Sequence, residues 1–206
     1  SLDQSLRSLG LDCIDVFQLH GVAPDDYAYA LETLVPVLVA EGEKGKFKFL
    51  GITEIPPEDH EHESLVQAVD EDCFRVIMIA YHMLHQSAAR TIFPTTLAKG
   101  IGVLIMFAVR VLFSEEGRLQ RVVQELVAQG LPQAESIDAA DPLGFLIHES
   151  GAHSLIDAAY RYCRYAAGSD VVLFGTGNLE HVRANIDSML SPPLPALTAP
   201  QLPWPL

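Results

Sequence analysis

Asp15-Val-Phe-Gln-Leu-His20 is the stretch on which the reading of this chain turns. Val16, Phe17 and Leu19 make a short apolar strand, and the strand delivers a histidine at its end. Ahead of it, Leu2, Leu6 and Leu9 recur at helical spacing and stop at Gly10. A helix, a turn and a strand ending in an imidazole suit chemistry, because parallel α/β folds gather their site residues at the carboxyl ends of strands. The same residues also fit a strand that merely finishes in a polar group. The downstream segments bear on that choice.

Asp25 and Asp26 open a helix predicted to run to residue 40, with Tyr27, Leu31, Leu34, Val35 and Leu38 on one face. Acidic residues in the first turn suit the positive end of the helix dipole. Pro36 lies inside this pattern and predicts a kink, at about 3 kcal/mol if nothing compensates. Residues 47–53 read as a strand. An acidic helix is expected from Pro56 and Pro57 to about residue 72, burying Leu65, Val66 and Val69. Residues 75–81 are a third strand, and 88–99 a helix stopped by Gly100. The continuous apolar run 101–107 suits a strand buried on both faces. A helix over 114–129 carries Leu119, Val122, Val123, Leu126 and Val127 as its stripe. Residues 130–151 are irregular or partly helical, 153–167 helical up to Gly168, and 171–174 a fifth strand. Gly175-Thr-Gly-Asn178 then turns into a helix over 179–190. The expected organisation is one α/β domain over 1–190 and a Pro-rich extended tail over 191–206.

Strand and helix alternate at least four times, which requires right-handed crossovers and a parallel sheet. Five strands fit an open doubly wound sheet. They equally fit five-eighths of a (β/α)8 barrel, whose usual length is about 250 residues. Periodicity does not choose between the two.

Composition narrows the function classes. The 206 residues suit one globular domain, and 13 basic against 27 acidic residues leave a formal charge of −14. Nucleic acid and anionic membrane surfaces need clustered positive charge, so neither is an expected partner. No apolar run approaches the length of a membrane span. Cys13, Cys73 and Cys163 are odd in number and scattered through apolar segments. They read as reduced thiols of a cytoplasmic protein. No secretory signal is visible at Ser1, although the chain does not begin with Met.

Among motifs, Gly175-Thr-Gly-Asn178 is the second informative element. Glycines let a ligand approach the backbone closely, and amides at the start of a helix attract an anion. The dinucleotide pattern G-x-G-x-x-G fails, because Glu180 stands where its third glycine belongs. A turn needing glycine only for its geometry is the alternative. Arg110, just past the fourth strand, suits a phosphate or carboxylate or an ordinary place on the rim. His60 and His62 are two apart and so point to different faces of a helix. His82 and His85 straddle a strand end and a loop. Neither pair has further ligands in sequence, and no metal is expected. No serine-nucleophile elbow, P-loop or H-E-x-x-H is present.

Taken in order, these segments resemble the aldo-keto reductase family. Residues 5–20 are similar to the helix and fourth strand of that family's barrel. Ala30-Leu-Glu-Thr-Leu34 and Phe49-Leu-Gly-Ile-Thr53 resemble the next helix and the fifth strand. Gly100-Ile-Gly-Val-Leu104 resembles the seventh strand. Residues 172–185, from Val172-Leu-Phe-Gly-Thr-Gly through His181 to Asn185, resemble the eighth strand and its cofactor-phosphate loop. The resemblance implies a partial (β/α)8 barrel and NAD(P)-dependent carbonyl reduction or sugar oxidation by hydride transfer. NADP(H) stands ahead of NAD(H) and no metal is involved, although no Lys or Arg falls within 175–182 and Arg183 is the nearest cation. The substrate implied is a small carbonyl compound or sugar.

By the same resemblance His20 matches the family's catalytic histidine. Gly175, Thr176, Gly177, His181 and Asn185 match the loop and helix that hold the adenine-side phosphate and ribose. Thr53-Glu54 stands where the family has the Ser-Asn pair that grips the carboxamide. Met106 falls where an aromatic stacks on the nicotinamide, with Phe107 one residue away, and Arg110 lies on the same rim. Met78 replaces a glutamine of the sixth strand, and Ala184 an acidic residue facing adenine. The family's Asp, Tyr and Lys belong to its first three strands, which have no counterpart here. A barrel without them has raw edges, so the expectation is a longer protein, a homo-oligomer or a barrel-completing partner. The other reading is a non-catalytic module, derived from such a barrel, that binds a nucleotide or another subunit.

Overall fold

Helix α1 (Leu2–Leu9) ends where Gly10 enters left-handed backbone at φ 65°, and the chain then forms β1 (Ile14–Leu19). The computed structural model describes residues 1–56, 58–129, 138 and 140–195. A 3-10 turn at Pro24–Asp26 leads into α2 (Tyr27–Tyr29), a π-helical turn (Ala30–Leu34) and α3 (Val35–Glu43). The π turn lies directly before Pro36, which occupies the first turn of α3. There proline's missing N–H and fixed φ are tolerated, so the hydrogen-bond register is reset just where proline would otherwise break it. Tyr27, Ala30 and Val35 are buried, and Leu34 faces out.

Strand β2 (Phe47–Thr53) runs parallel to β1, with Ile14 opposite Phe47 and Leu19 opposite Ile52. Strand β3 (Phe74–Ala80) runs parallel to β2, with a register slip between Leu50 and Gly51. A Cβ on Gly51 would lie 2.8 Å from the Val76 carbonyl oxygen and 2.9 Å from Gln18 Cγ. Glycine is therefore required by close approach of backbone and side chain. After α4 (Glu63–Ala68), α5 (Ala88–Thr91) and α6 (Phe93–Lys99), β4 (Gly102–Met106) completes the first four strands. Helices α7 (Val111–Ser114), α8 (Arg118–Ala128) and α9 (Leu155–Arg164) precede β5 (Val171–Val172) and α10 (Leu179–Leu190).

The strands hydrogen-bond in the order β1-β2-β3-β4-β5. A doubly wound sheet reverses its order at a switch point. The sequential, parallel order is that of barrel staves. The chain divides into two compact units, residues 1–80 with 88–104, and residues 81–87 with the chain from 105 onward. In the first, Ile52, Leu65, Phe74, Ile77, Ile79 and Ile92 are almost wholly buried, each such side chain contributing about 1.5–3 kcal/mol. In the second, Met83, Leu119, Val123, Leu143, Leu146 and Ala158 form the core.

Several elements differ from the sequence expectation. Between 56 and 72 only Glu63–Ala68 is α-helix. The Asp59 carboxylate accepts from Glu63 N–H and Ser64 N–H, at 2.6 and 3.0 Å, and fixes the helix start. His62 sits at φ 60°, so no helix runs back through it. Pro57 lies outside the described residues. The helix expected over 88–99 is two pieces, broken at Ile92 ahead of Pro94, which has no N–H to give. The one expected over 114–129 is broken by extended backbone at Glu115 and by Gly117 at φ 70°. Strand β4 alternates, with Val103 and Ile105 buried and Gly102, Leu104 and Met106 half-buried, so one face only is fully covered. Within 130–151, residues 130–137 and 139 lie outside the described residues, and Gly144–Leu146 forms a 3-10 turn. Of the Pro-rich segment, 196–206 also lie outside them. Its opening residues are tied down: Leu194 is buried, and Arg161 donates to the carbonyls of Pro192 and Pro193.

Candidate functional site

In the second unit, β5 gives way to the Gly175-Thr-Gly-Asn178 turn, and Leu173 N–H still donates to Ile105 O at 2.9 Å. Asn178 caps α10 by accepting from Glu180 N–H at 2.8 Å, and its own N–H donates to Thr176 Oγ1 at 3.2 Å. Neither Gly175 nor Gly177 is among the glycines with positive φ. A Cβ added to either meets nothing within 4 Å. The turn itself therefore does not require glycine, and what glycine leaves there is open space beside a helix N-terminus.

The space beside Gly175 belongs to a cleft of about 550 Å³. Helix α10 presents His181, Ala184, Asn185 and Ser188 to it, a spacing of three and four that defines one helical face. Val109, Ser114, Ser154, Ile156 and Tyr160 line the rest with Gly175 and Thr176. Thr176 Oγ1 lies 3.5 Å from His181 Nδ1. Asn185 is 6% and Ser188 7% exposed. Neither side chain has a hydrogen-bond partner among the described residues, and neither has a polar atom among the fully buried unpaired ones, so these groups open onto the cleft.

At the end of β4, Met106 is half-buried and its carbonyl accepts from Tyr81 N–H at 3.3 Å. Phe107 is held at φ 64°, a strained conformation for a non-glycine residue of the kind that collects at functional sites. The Arg110 guanidinium lies 4.2 Å from the centroid of its ring, a cation–π distance. Met106, Arg110 and Gly177 do not line the 550 Å³ cleft.

The first unit carries the other candidates. His20 is exposed immediately after β1. The next residue, Gly21, is at φ 63° and donates its N–H to Thr53 Oγ1 at 2.7 Å, while Val22 N–H donates to Thr53 O at 2.8 Å. Glu54 is 3% exposed. Its Oε1 accepts from Ala80 N–H at 2.7 Å, and its Oε2 lies 2.7 Å from His62 Nδ1. Burial pushes the Glu54 carboxyl up from the ordinary value, against the opposing pull of His62 and the Ala80 amide. Thr53 and Glu54 thus stitch the ends of β1, β2 and β3 together with their own polar atoms.

Histidines 82 and 85 bridge each other through the backbone in a tight turn, at 2.9 and 3.1 Å. Burial, helped by His85 and Arg110, pushes the His82 imidazole down to about 4. Among the described residues no three or more His, Cys, Asp or Glu side chains are grouped for a metal, and no helix is long and apolar enough to cross a membrane.

The family model described as "Aldo/keto reductase family" matches residues 1–199. The chain belongs to the aldo/keto reductase family. A D-threo-aldose 1-dehydrogenase of Pseudomonas sp is 31% identical over 106 residues, covering 50% of this chain and 31% of that protein. An L-galactose dehydrogenase of Arabidopsis thaliana is 27% identical over 105 residues, covering 50% of this chain and 32% of that protein. The matched stretch is thus about a third of each curated relative. Among solved structures, the holo form of the aldo-keto reductase AKR11C1 from Bacillus halodurans superposes with TM-score 0.68 at 23% identity, covering 98% of this chain and 64% of that one. A thermostable aldo-keto reductase, Tm1743, solved in complex with the inhibitor epalrestat, gives 0.65 at 14% identity, covering 98% and 64%. The fold is accordingly part of the family's barrel.

Within this aldo/keto reductase chain, Gly175, Thr176, His181 and Asn185 line one cleft in the second unit, while His20, Thr53 and Glu54 cluster at strand ends in the first. Sequence reasoning missed Ser154, Tyr160 and Ser188. Ser188 was findable, since it continues the 181, 184, 185 spacing by one turn. Ser154 and Tyr160 come from α9 and its cap, and nothing local in sequence links them to the glycine turn.

Proposed function

We propose that the chain is the nucleotide-holding C-terminal part of an NAD(P)-dependent oxidoreductase acting on a small carbonyl compound or sugar. The observation that carries this reading is the cleft beside Gly175. A Cβ on Gly175 would meet nothing within 4 Å there, and Asn185 and Ser188 on its wall have side chains without partners among the described residues that open onto it. The residues present fit the phosphorylated adenosine end of a dinucleotide. Backbone amides at the start of α10 suit phosphate oxygens, and the Asn185 amide offers both a donor and acceptors to a base or ribose. A bound nicotinamide would supply or accept the hydride.

His20 is proposed to orient and polarise the substrate oxygen by a hydrogen bond. Thr53 holds the backbone of the residue after it. Met106, Phe107 and Arg110 form a second strand end where a ring and a cation could meet cofactor or substrate. Both curated relatives are named as sugar dehydrogenases, and aldose oxidation is the preferred direction. Three free cysteines suit a reducing, cytoplasmic setting.

The test is titration of the chain with NADH and NADPH by nucleotide fluorescence, followed by turnover assays with aldoses and aldehydes on the full-length protein. Binding and turnover are expected. A second reading, a binding module without catalysis, is favoured by one observation: Thr53 and Glu54 spend their polar atoms inside the protein rather than on a ligand. Binding with no turnover selects it, and indifference to both nucleotides removes both readings.

A further inference from the structure

Helix α10 is built inside out. Its buried residues are the polar Asn185 and Ser188, whereas Leu179 and Leu190 are each 75% exposed and Ile186 is 43% exposed. An ordinary surface helix does the reverse. A helix that turns its polar face inward, onto a cleft where those groups have no partner among the described residues, is arranged to hydrogen-bond a guest. The chemistry of the lining then says which guest. Tyr160, Asn185 and Ser188 supply neutral donors and acceptors, while the hydroxyls of Ser114, Ser154 and Thr176 each already hold one backbone partner and keep only their remaining capacity.

What the lining omits is positive charge. All 13 lysines and arginines of the chain fall among the described residues, and none of them lines the cleft. In this unit Arg161 is buried against Asp157 and three carbonyls, Arg121 pairs with Glu115, and Arg110 stacks on Phe107. Arg183 sits on α10 but lies about 200° around the helix axis from His181 and from Asn185. A 2′-phosphate brings close to two further negative charges. Placing them against Ala184, Asn185 and Ser188, beyond the first turn of α10 whose amides suit phosphate, costs desolvation with no ion pair to offset it, and a chain of charge −14 adds repulsion. Ribose hydroxyls, by contrast, are well matched by hydroxyls and an amide.

We propose that this cleft selects NAD(H) over NADP(H), with the uncharged face formed by Ala184, Asn185 and Ser188 as the discriminating surface. The proposal rests on the nucleotide reading above and reverses the order of cofactors that the family resemblance suggests.

The experiment is calorimetric titration of the chain with NADH and with NADPH at constant ionic strength and about pH 8, where imidazoles are ordinarily neutral. NADH is expected to bind at least tenfold tighter, roughly the effect of one unpaired charge. Equal affinity, or tighter NADPH, overturns the selectivity and leaves the nucleotide reading intact. No heat with either nucleotide overturns both. A variant supplies an independent check: Ala184→Arg places a cation on an exposed position of the cleft-facing side. It is expected to raise the ratio of NADPH to NADH affinity about tenfold. If that ratio stays where it was, the neutral face is not the discriminator and the proposal fails.

Discussion

Thr53 Oγ1 accepts the backbone N–H of Gly21 at 2.7 Å, across 32 residues of sequence. With Val22 N–H on the Thr53 carbonyl, one residue at the end of β2 fixes the chain that leaves His20. Thr53→Val keeps the shape and deletes the acceptor. It is expected to destabilise the first unit by about 1–2 kcal/mol, the cost of a part-buried amide left unmade, and to accelerate exchange of the Gly21 amide. Thr53→Ser should restore both. Urea unfolding with amide exchange measures this, and equal behaviour of the valine and serine variants would contradict it.

Two glycines invite opposite outcomes. At Gly51 an added methyl collides with the Val76 carbonyl and Gln18, so Gly51→Ala should cost about 1–3 kcal/mol by overpacking. At Gly175 the methyl meets nothing. Gly175→Ala should leave stability within about 0.5 kcal/mol while weakening nucleotide binding, because the methyl enters the space beside the α10 N-terminus. Thermal unfolding and nucleotide titration of both variants separate fold from site. A large stability loss at Gly175 would show that the turn needs its glycine for geometry.

That contrast also marks what the sequence could disclose. Helix α10 is legible to the residue, because an Asn cap and a regular pattern define both ends. The five strands are legible because their apolar runs are short and punctuated by Gly or Pro. The segment from 54 to 62 is not, since its conformation is set by Asp59 capping forward and Glu54 meeting His62 and Ala80, contacts that no local periodicity encodes. The π turn ahead of Pro36 is likewise a tertiary answer to a local conflict. Of the residues lining the cleft, those of the glycine turn and α10 that the resemblance singled out could be named in advance. The inverted burial of α10 could not, because an outward Leu179 and an inward Ser188 read as ordinary amphipathicity until the fold assigns the faces.

His82 gives a pH prediction for the second unit. Its folded value of about 4 lies below the ordinary 6.5, through burial first and then His85 and Arg110. A depressed histidine favours the folded state when neutral. Its contribution is therefore complete above 6.5 and is lost as pH falls from 6.5 towards 4, by roughly 3 kcal/mol in full. His82→Asn retains an acceptor for the Leu84 N–H and removes the titration. Guanidinium unfolding at steps between neutral and acid pH should show a flatter acid limb for the variant. Parallel curves would mean that the ring is not buried as a neutral base.

Arg161 carries the largest expected loss of stability, because so much converges on it. It is 4% exposed and donates to Asp157 Oδ2 at 3.0 Å, to Gly151 O at 2.9 Å, to Pro192 O at 2.7 Å and to Pro193 O at 3.3 Å. One guanidinium thus joins α9, the loop before it and the segment after α10. Lysine cannot reproduce the planar fork that reaches these separated acceptors. Arg161→Met fills much of the volume but leaves the Asp157 carboxylate without its ion-pair partner, and should cost about 3–5 kcal/mol. Arg161→Lys should fall between the wild type and the methionine variant. Because Pro192 and Pro193 lose their donor, the chain just after Ser191 should become the first site of proteolytic cleavage in both variants, while the wild type resists. Mass analysis of a timed digest alongside urea unfolding decides the matter. If cleavage begins elsewhere and stability is unchanged, the arginine is not what holds this end of the chain.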